Sequence, residues 1–516
     1  MADRGFWVMA QKDPGALALV DPDGSETTRG ELLASCNQVV HGLRAMGLGQ
    51  GDCIATFLPN GAPMIELYLA IAQAGMYLVP INWHLTGPEA AYILQDCEAK
   101  AFFSDERFAD TAKKAADEAG LAPAQCFSVG KIDGFQSYEA FKAAQPTTLP
   151  DDRAAGLVMN YTSGTTGRPK GVRRKLSPLD PDTSATLTSV FLMMFGMTQE
   201  DDNVHICGSP LYHTAVLMFA SCAMHLGHAI VLMDKWTPEE MLRLIEKYRI
   251  TNSHMVPTQF NRLLAIPDDV KKKYDVSSLR WMVHAAAPCP QDTKWKMLEW
   301  WGDCIYEYYA ASEGGGTLVT PEQWKKHPGT VGAAWANSEI RILDDEGNDV
   351  PTGEVGTVWM KMGAADFEYH KAPEKTAENR RGEYFTVGDM GYLNDEGFLF
   401  LSDRKNDMII SGGANIYPAE IEKDMQACPG IADVAVFGIP NDDWGEEVKA
   451  VVQPEEGVAP DDAFRKRILD YCKDHIAKYK LPRTIDFIEE MPRDPNGKLY
   501  KRKLRDPYWE GRDRQI

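Results

Sequence analysis

The sequence predicts a mixed α/β protein with a large N-terminal domain, in which helix-covered parallel sheets precede a β-rich subdomain, and a small α+β domain at the C-terminus. Three observations support this fold. Helical and strand patterns alternate in the first part of the chain, short strands with acidic, glycine-bearing turns follow from about residue 330, and helical patterns return from Pro418. The 516 residues are enough for roughly two to four domains of ordinary size.

The alternation of helix and strand begins near residue 28. Thr28 and Glu31 have the spacing of a capping box, and an apolar helical face follows them as far as Gly47. Further strand patterns at 53–58, 76–81 and 252–256 alternate with helical patterns at 62–74 and 238–247. Because strands that are separated by helices usually pair in parallel, this region predicts a parallel sheet that is covered by helices.

The second half of the chain predicts two further units. The stretches ILDDEGNDVPTGEVGTVWMK and GYLNDEGFLFLSDR have the short apolar runs and acidic glycine turns of antiparallel hairpins. A small α+β unit follows, with helices at 418–427 and 461–479 and strands at 433–438, 448–453 and 484–489. We therefore predict a large domain at 1–403, a hinge at 404–407 and a small domain at 408–516.

Composition argues against several classes of protein. The 75 acidic and 54 basic residues give a net charge of −21, which opposes binding to nucleic acid. The most apolar long run, Met64–Pro80, contains Glu66 and Gln73 and therefore predicts a buried helix and strand instead of a membrane span. The ten cysteines lack metal-ligand spacing, and Met1–Pro14 lacks the layout of a secretory signal, so we expect a reduced, cytoplasmic protein.

The stretch YTSGTTGRPKG, residues 161–171, has the chemistry of a phosphate-binding loop. Its glycines let backbone N–H groups approach a polyanion, its hydroxyls donate hydrogen bonds, and Arg168 and Lys170 offset negative charge. The spacing is not that of a Walker loop, and an exposed turn is the alternative. The predicted phosphate-binding residues are Thr162, Ser163, Gly164, Thr165, Thr166, Gly167 and Lys170.

The same stretch resembles the phosphate-loop signature of the adenylate-forming enzymes, which include acyl-CoA synthetases, firefly luciferase and peptide-synthetase adenylation domains. Four further stretches resemble blocks of this family and occur in the family's order. They are YYAASEGG from Tyr308, YFTVGDMGYL from Tyr384, DRKNDMIISGGANIYPAEIE from Asp403 and PRDPNGKLYKR from Pro492. The resemblance favours the branch of acyl-CoA synthetases and fatty-acid–CoA ligases.

The resemblance implies a two-step reaction with ATP, Mg²⁺ and coenzyme A. A carboxylate first attacks the α-phosphate of ATP to give an acyl-AMP, and the thiol of CoA then attacks the acyl-AMP. Three residues are predicted to be catalytic. Glu313 would hold the metal ion, Ser312 would donate a hydrogen bond to the α-phosphate, and Lys498 would bridge carboxylate and phosphate oxygens while charge moves between them.

Four residues outside the loop are predicted to bind the nucleotide. By resemblance, Tyr309 would stack on the adenine, and Ala286 in HAAAPC would lie against it. Asp389 would accept hydrogen bonds from the ribose hydroxyls, with Arg404 as a nearby donor. A tyrosine in the protein core is the alternative for Tyr309.

The resemblance also implies that the small domain is mobile. It would rotate about a hinge at Asn406, withdraw Lys498 and admit the pantetheine arm of CoA along Gly412 and Gly413. An ordinary turn is the alternative for the two glycines. Four cations near the C-terminus would guide the CoA phosphates or form a solvated basic tail: Lys501, Arg502, Lys503 and Arg505.

The acid substrate is predicted to be a hydrophobic monocarboxylic acid, either fatty or ring-bearing. His213 in SPLYHTA resembles a position of the acyl pocket, and Val256 would add apolar lining. Gly314 and Gly315, with the glycine after them, would leave room for a bulky acyl group. A core histidine is the alternative for His213.

Two arginines depart from the family pattern. Arg173 and Arg174 stand where small or apolar residues are expected, and they predict either exposed charge or a further contact with a phosphate or a lipid headgroup. A peripheral membrane contact therefore stays open.

Two other functions compete with an acyl-CoA ligase. One is a ligase that passes the acyl group from acyl-AMP to a carrier protein, and the other is a noncatalytic nucleotide-binding scaffold. The joint presence of Glu313, Asp389, Arg404 and Lys498 argues against the scaffold.

Overall fold

The computed structural model of the chain confirms the predicted α/β class, with a large N-terminal part that contains parallel sheet and a smaller C-terminal part. It describes residues 4–162, 169–199, 202–336, 338–362, 367–404, 407–411, 414–441, 444–493, 497 and 499–510.

The α-helices of these residues are α1 (Phe6–Lys12), α2 (Arg29–Ala45), α3 (Ala62–Ala74), α4 (Gly87–Asp96), α5 (Ala109–Ala119), α6 (Tyr138–Ala143), α7 (Pro181–Met193), α8 (Thr214–His225), α9 (Pro238–Tyr248), α10 (Pro257–Ala265), α11 (Asp268–Lys271), α12 (Gln291–Trp301), α13 (Pro321–Lys326), α14 (Pro373–Glu378), α15 (Pro418–Gln426), α16 (Asp462–His475) and α17 (Lys501–Arg505).

The strands are β1 (Leu17–Val20), β2 (Glu26–Thr28), β3 (Cys53–Phe57), β4 (Tyr77–Pro80), β5 (Ala101–Asp105), β6 (Cys126–Val129), β7 (Gln136–Ser137), β8 (Leu157–Val158), β9 (Asn160–Thr162), β10 (Lys170–Arg173), β11 (Val204–Cys207), β12 (Ala229–Leu232), β13 (Asn252–Met255), β14 (Trp281–His284), β15 (Ile305–Ala311), β16 (Gly314–Val319), β17 (Gly332–Ala334), β18 (Ser338–Leu343), β19 (Gly356–Met362), β20 (Glu368–Tyr369), β21 (Arg380–Arg381), β22 (Tyr384–Phe385), β23 (Asp389–Leu393), β24 (Phe398–Arg404), β25 (Ile409–Ser411), β26 (Ala414–Ile416), β27 (Ile431–Asn441), β28 (Gly445–Pro454) and β29 (Thr484–Phe487).

Two parallel sheets dominate the N-terminal part. One has the strand order β7-β6-β5-β3-β4-β8, and the other contains the parallel neighbours β12-β11-β13-β14-β15. The second sheet continues through β16, which turns back antiparallel on β15, into the antiparallel strands β17, β24, β23 and β19. The β-rich region that the sequence predicts after residue 330 is thus joined by backbone hydrogen bonds to the parallel sheet.

Buried helices connect the two sheets. One hydrophobic cluster contains Leu67 of α3, Phe219 of α8, Ile54 of β3 and Ile230 of β12, so these helices pack between strands of both sheets. Burial of apolar surface on both sides of a helix stabilises the pair of sheets as a unit. This shared core gives the second sheet, whose strand ends carry the candidate site, a fixed position.

The C-terminal part is a separate small sheet with its own core. Its order is β26-β25-β28-β27, and β29 pairs in parallel with β28. Helices α15 and α16 cover it with the buried residues Ile421, Met425, Phe464 and Ile468. The predicted helix at 461–479 is shorter in the structure, because Ile476 adopts an extended conformation and is buried, and a 3₁₀ turn follows at Lys478–Lys480.

Several local predictions are confirmed. Thr28 and Glu31 form the capping box of α2, and the apolar run Met64–Pro80 is helix α3 followed by β4. Among the helices described, none is long and apolar enough to cross a membrane. The boundaries at 403/404 and 407/408 stay predictions.

Candidate active site

A cleft of about 3580 Å³ lies at the carboxyl ends of the parallel strands β11, β13, β14 and β15. Loops that follow parallel strands gather at one edge of a sheet, which makes this edge the usual place for a ligand site in α/β proteins. The cleft is lined on the other side by residues of the C-terminal part. We call these two sides the large-domain wall, which includes 212–215, 285–291 and 308–313, and the small-domain wall, which includes 490–493 and 499–507.

Tyr309 and Asp389 meet on the large-domain wall. The Tyr309 O–H donates a hydrogen bond of 2.6 Å to Asp389 Oδ2, and both residues line the cleft. Tyr309 lies on β15 and Asp389 begins β23, where it pairs in register with Arg404. The arrangement places an aromatic ring beside a carboxylate, which suits a nucleoside with a base to stack and hydroxyls to bind.

Ala286 lies in the loop that follows β14 and lines the same wall. Its φ of +72° falls in the left-handed region, which a residue with a Cβ rarely adopts. Such strained backbone is concentrated at ligand sites, where the surrounding structure holds it in place.

A cluster of buried ionisable side chains lies at the start of this loop. Lys294 Nζ of α12 donates to Glu307 Oε2 of β15 at 2.6 Å, and His284 Nε2 is 3.5 Å from the same oxygen. All three side chains are almost fully buried. Burial, with the charge of Lys294, lowers the pKa of His284, which is therefore neutral. Burial raises the pKa of Glu307, while Lys294 opposes this effect.

Glu313 is held from one side by a tyrosine that sequence reasoning missed. The Tyr369 O–H donates to Glu313 Oε1 at 2.8 Å, and both residues are buried at the edge of the cleft. Burial and the negative charge of Glu313 raise the pKa of Tyr369, so it stays a donor. Tyr369 belongs to none of the motif stretches. It lies on β20 and meets Glu313 only through tertiary folding.

The geometry of Glu313 fits a magnesium ligand. Its second oxygen, Oε2, accepts no hydrogen bond from any described residue, and the residue lines the cleft. Within the described residues there is no group of three or more His, Cys, Asp or Glu that could hold a metal alone. A hard cation would thus depend on Glu313 together with ligand oxygens, which is how Mg²⁺ is commonly bound beside phosphates.

Ser312 lies next to Glu313 in the turn between β15 and β16. Its hydroxyl is 3.3 Å from Thr214 Oγ1 of α8, and either oxygen can be the donor. Its backbone oxygen accepts a hydrogen bond of 2.6 Å from Arg174 Nη2. The Ser312 hydroxyl therefore makes a polar contact at the cleft, and the hydrogen bond from Arg174 holds the backbone of Ser312.

Both arginines are partly buried against other side chains, which argues against the alternative of exposed charge, while a contact with a phosphate or a lipid headgroup stays a prediction. The Arg173 guanidinium lies 4.5 Å from the ring centroid of Tyr77, and its Nη1 is 3.3 Å from His370 Nδ1. Arg174 is largely buried against Ser312, and burial lowers its pKa while the charge of Glu313 opposes this effect. Both are thus packed in the protein, instead of forming an exposed cationic patch.

The strands on either side of the phosphate-loop stretch are anchored to α4. The Tyr161 O–H donates to Asp96 Oδ2 at 2.6 Å, and the Tyr92 O–H donates to the Pro169 backbone oxygen at 3.2 Å. Lys170 begins β10, is half-buried and lines the cleft. Thr162 ends β9, and the predicted Ser163, Gly164, Thr165, Thr166 and Gly167 lie outside the described residues.

The predicted acyl-pocket residues divide into two groups. His213 caps α8 and lines the cleft together with Met218, one turn further along that helix. Val256 is fully buried at the start of α10 and is not among the lining residues. Behind Met218, the rings of Phe219 and Tyr308 have centroids 5.6 Å apart.

The room expected beside the glycines is filled by protein, which corrects that expectation. A Cβ on Gly315 would lie 2.9 Å from Met360 Cβ, and one on Gly316 would lie 2.6 Å from the Trp335 ring and overlap the Tyr309 backbone oxygen. A Cβ on Gly314 would contact Met362 and Arg174 at 3.7 to 3.9 Å. All three glycines have positive φ, and at Gly315 and Gly316 the absence of a Cβ also allows close packing of the β15–β16 hairpin.

Several predicted residues of the hinge and the small domain lie outside the described residues: Lys498, Asn406, Gly412 and Gly413. Arg404 ends β24, with only its backbone described. Gly497, the neighbour of Lys498 in the chain, has a φ of +79° and packs so closely on Thr258 of α10 that a Cβ would overlap the threonine. The 497 position is therefore at the cleft, against the large domain.

The basic residues near the C-terminus have carboxylate or aromatic partners. Lys501 pairs with Glu422 at 2.8 Å, Arg505 with Asp407 at 3.2 Å and Arg502 with Asp506 at 3.3 Å. Lys503 Nζ lies 5.1 Å from the ring centroid of Tyr500. Much of the charge that could guide CoA phosphates is thus offset within the small domain.

Comparison with known proteins places the whole chain in one group. The profile of the AMP-binding enzyme family matches residues 6–364, and that of the AMP-binding enzyme C-terminal domain matches residues 420–498. The fatty acid–[acyl-carrier-protein] ligase ScoC of Streptomyces coeruleorubidus is 30% identical over 98% of this chain and 96% of its own length. The long-chain-fatty-acid–CoA ligase FadD13 of Mycobacterium tuberculosis is 30% identical over 97% of this chain and 98% of its own length.

A solved structure agrees with this result. The crystal structure of ATP-bound MatB from Rhodopseudomonas palustris matches with a TM-score of 0.83 and 29% identity, over 98% of this chain and 99% of that one.

Proposed function

The chain belongs to the family of AMP-binding enzymes, and on that basis we propose that it is an AMP-forming ligase that joins a hydrophobic carboxylic acid to coenzyme A. The matched family is the one that the motif stretches resemble. The observation that carries the proposal is the pairing of Tyr309 with Asp389 and of Tyr369 with Glu313 in one cleft, because it joins a nucleoside site to a metal-binding carboxylate.

The proposed reaction has two steps. A carboxylate oxygen of the acid attacks the α-phosphorus of ATP, a bond forms between them, and the bond from the α-phosphorus to the bridging oxygen breaks to release pyrophosphate. In the second step the sulfur of CoA attacks the acyl carbon, the bond from that carbon to the phosphate-linked oxygen breaks, and AMP leaves. The thiol proton is released to solvent or a base.

The first step requires that two anions approach each other, and the cleft residues reduce this repulsion. Magnesium, when bound, would spread the charge of the phosphates, and Glu313 would hold it through Oε2. Ser312 would donate its hydroxyl to an α-phosphate oxygen, and Lys170 would approach the outer phosphates. Lys498 would bridge the carboxylate and the α-phosphate in the transition state.

The nucleoside would be held on the large-domain wall. Tyr309 would stack on the adenine while its hydroxyl keeps Asp389 oriented, and Asp389 would accept hydrogen bonds from the ribose. The loop at Ala286 would lie along the base. Rotation of the small domain about Asn406 would then withdraw Lys498 and admit CoA along Gly412 and Gly413.

The acid would bind on the side of the cleft formed by His213 and Met218. Apolar and aromatic side chains continue behind these residues, with Phe219 fully buried and Tyr308 nearly so. Such a lining favours a hydrophobic acyl group, fatty or ring-bearing, over a short polar one such as acetate.

A second candidate is the transfer of the acyl group to a carrier protein, which the match to a fatty acid–[acyl-carrier-protein] ligase favours. To distinguish the candidates, the purified protein is incubated with ATP, Mg²⁺ and a panel of fatty and aromatic acids. Three parallel reactions contain CoA, a phosphopantetheinylated carrier protein or no acyl acceptor, and the products are identified by mass spectrometry. Acyl-CoA supports the proposal, and acyl-carrier product without acyl-CoA supports the second candidate. If no acid supports nucleotide turnover, the result supports the third alternative, a noncatalytic nucleotide-binding scaffold.

A further inference from the structure

Two side chains fasten the segment Ser312–Glu313 to the strands that flank the phosphate-loop stretch. Strand β10 lies between β9 and β20, and Val172 of β10 is opposite Tyr369 of β20. The stretch 163–168 connects β9 to β10 in the sequence. The small sheet β20-β10-β9 therefore carries both ends of that stretch and the two side chains that reach Ser312 and Glu313.

Tyr369 reaches the carboxylate of Glu313 from β20. The hydrogen bond of 2.8 Å to Oε1 is buried, and it fixes the rotation of the carboxylate so that Oε2 stays available. A partner of this kind usually sets how well a carboxylate binds a metal ion. Removal of the hydroxyl would free the carboxylate to turn and would leave Oε1 without its donor in a buried position.

Arg174 reaches the preceding residue from the end of β10. Its Nη2 donates to the Ser312 backbone oxygen at 2.6 Å, and its own backbone oxygen accepts a hydrogen bond of 2.7 Å from the Tyr77 hydroxyl. This is the one hydrogen bond of the guanidinium to the described residues. Because Arg174 follows β10 directly, the contact joins that strand to the turn between β15 and β16.

We propose that Tyr369 and Arg174 are positioning residues that keep the carboxylate of Glu313 at a fixed place relative to strands β9 and β10, which the phosphate-loop stretch joins in the sequence. A metal ion at Glu313 and the phosphates of the nucleotide would then meet without rearrangement of either group. This inference rests on the proposed function for its chemistry. Its consequence is that loss of either contact slows the formation of acyl-AMP and spares the transfer of the acyl group from a supplied acyl-AMP, since the α-phosphorus changes its bonds in the first step alone.

The test uses the full chain with Tyr369→Phe, Arg174→Met and Arg174→Lys. Both half-reactions are measured, and Mn²⁺ binding is followed by electron paramagnetic resonance in the presence of a non-hydrolysable ATP analogue. Tyr369→Phe changes no charge, so its Mn²⁺ affinity depends on the position of Glu313. We expect this affinity and the rate of acyl-AMP formation to fall about 10-fold, at the lower end of the losses caused by removing a group that orients a metal ligand.

Arg174→Met is expected to slow acyl-AMP formation to a similar extent, and Arg174→Lys to restore part of the rate, because lysine keeps a donor but not the planar fork. Arg243→Met, which removes an exposed arginine paired with Glu240 on α9, is the matched control. Unchanged Mn²⁺ affinity and unchanged acyl-AMP formation in Tyr369→Phe overturn the proposal. An equal loss of both half-reactions with a lower melting temperature also overturns it, because that pattern indicates general destabilisation. If the wild type forms no acyl-AMP with any acid, the proposed function fails, and the Mn²⁺ affinities alone decide the positioning role.

Discussion

On the large-domain wall, Glu313 is bonded to a buried tyrosine from a distant strand, whereas on the small-domain wall the cationic residues form ion pairs that range from mostly buried to half-exposed. Tyr369 and Glu313 illustrate the first case, since their hydrogen bond joins β20 to the turn after β15. Arg502 and Asp506 illustrate the second, with about half of each side chain exposed. These two pairs therefore differ in how strongly their groups are held in place.

This difference suggests a division of tasks between the walls. Buried hydrogen bonds and ion pairs fix an orientation, because an unpaired buried group is costly. Exposed ion pairs contribute little to stability, and pairs that stay inside one domain are kept when that domain moves. The large-domain wall is thus suited to hold ATP through both steps, and the small-domain wall is suited to bring groups such as Lys498 in and out.

The largest expected effect comes from the residue that would move. Lys498→Ala should slow the formation of acyl-AMP by about 1000-fold, because a charge-stabilising donor is lost in the transition state. The rate of thioester formation from supplied acyl-AMP should stay within about threefold of the wild type. Rapid-quench measurement of each half-reaction checks this, with Lys466→Ala, at an exposed site on α16, as the matched control. Equal losses in both halves would contradict a role that is confined to one step.

The buried ion pair below the Ala286 loop tests how rigid the large-domain wall is. Lys294→Met leaves Glu307 as an uncompensated buried charge and should destabilise the protein by about 3–5 kcal/mol. The double variant Lys294→Met, Glu307→Gln should recover most of this loss. Urea denaturation followed by tryptophan fluorescence measures both. Lys326→Met, which breaks an exposed pair with Glu322, is the control and should change the midpoint little. A small effect of Lys294→Met would show that this part of the wall is more adaptable than its burial indicates.

Glu313 tests the metal-binding side of the same wall. Glu313→Gln keeps the size of the side chain and removes its charge, so we expect acyl-AMP formation to fall about 100-fold, with a higher Mg²⁺ concentration needed for half-maximal rate. Transfer from supplied acyl-AMP should change little. Titration of the rate with Mg²⁺ measures the effect, and Glu322→Gln, at an exposed site, is the control. A Mg²⁺ requirement identical to that of the wild type would remove Glu313 from metal binding.

The smallest effect is expected on the small-domain wall. Arg502→Ala breaks a half-exposed ion pair and should change stability by less than about 1 kcal/mol. Both half-reactions should proceed at nearly the wild-type rate. Thermal unfolding and the two rate measurements check this. A large loss of thioester formation alone would instead assign Arg502 to CoA binding and would narrow the contrast between the walls.

The sequence predicts features that depend on neighbouring residues. The capping box of Thr28 and Glu31 and the buried helix α3 are determined within a few residues, and the structure has both. The order of the motif stretches predicts the family for the same reason, since each motif is a short, continuous string. The family pattern assigns Tyr309 and Asp389 to one nucleoside, and the structure brings the two residues together, although their direct hydrogen bond was not predicted.

Contacts between distant segments were not predictable from a single sequence. Arg174 and Ser312 are 138 residues apart, and Tyr369 and Glu313 are 56 apart, so no local pattern connects them. Gly315 shows a second limit. A glycine permits either an open pocket or close packing, and the neighbours that decide, such as Met360, come from another strand.

The central claim is that the cleft activates a carboxylic acid with ATP before any thiol takes part. Exchange of labelled pyrophosphate into ATP tests this most directly, in the presence of Mg²⁺ and a hydrophobic acid and in the absence of CoA. We expect exchange that requires the acid and is nearly abolished in Lys498→Ala. Exchange that occurs equally without acid, or no exchange with any acid in folded protein that binds ATP, would contradict it.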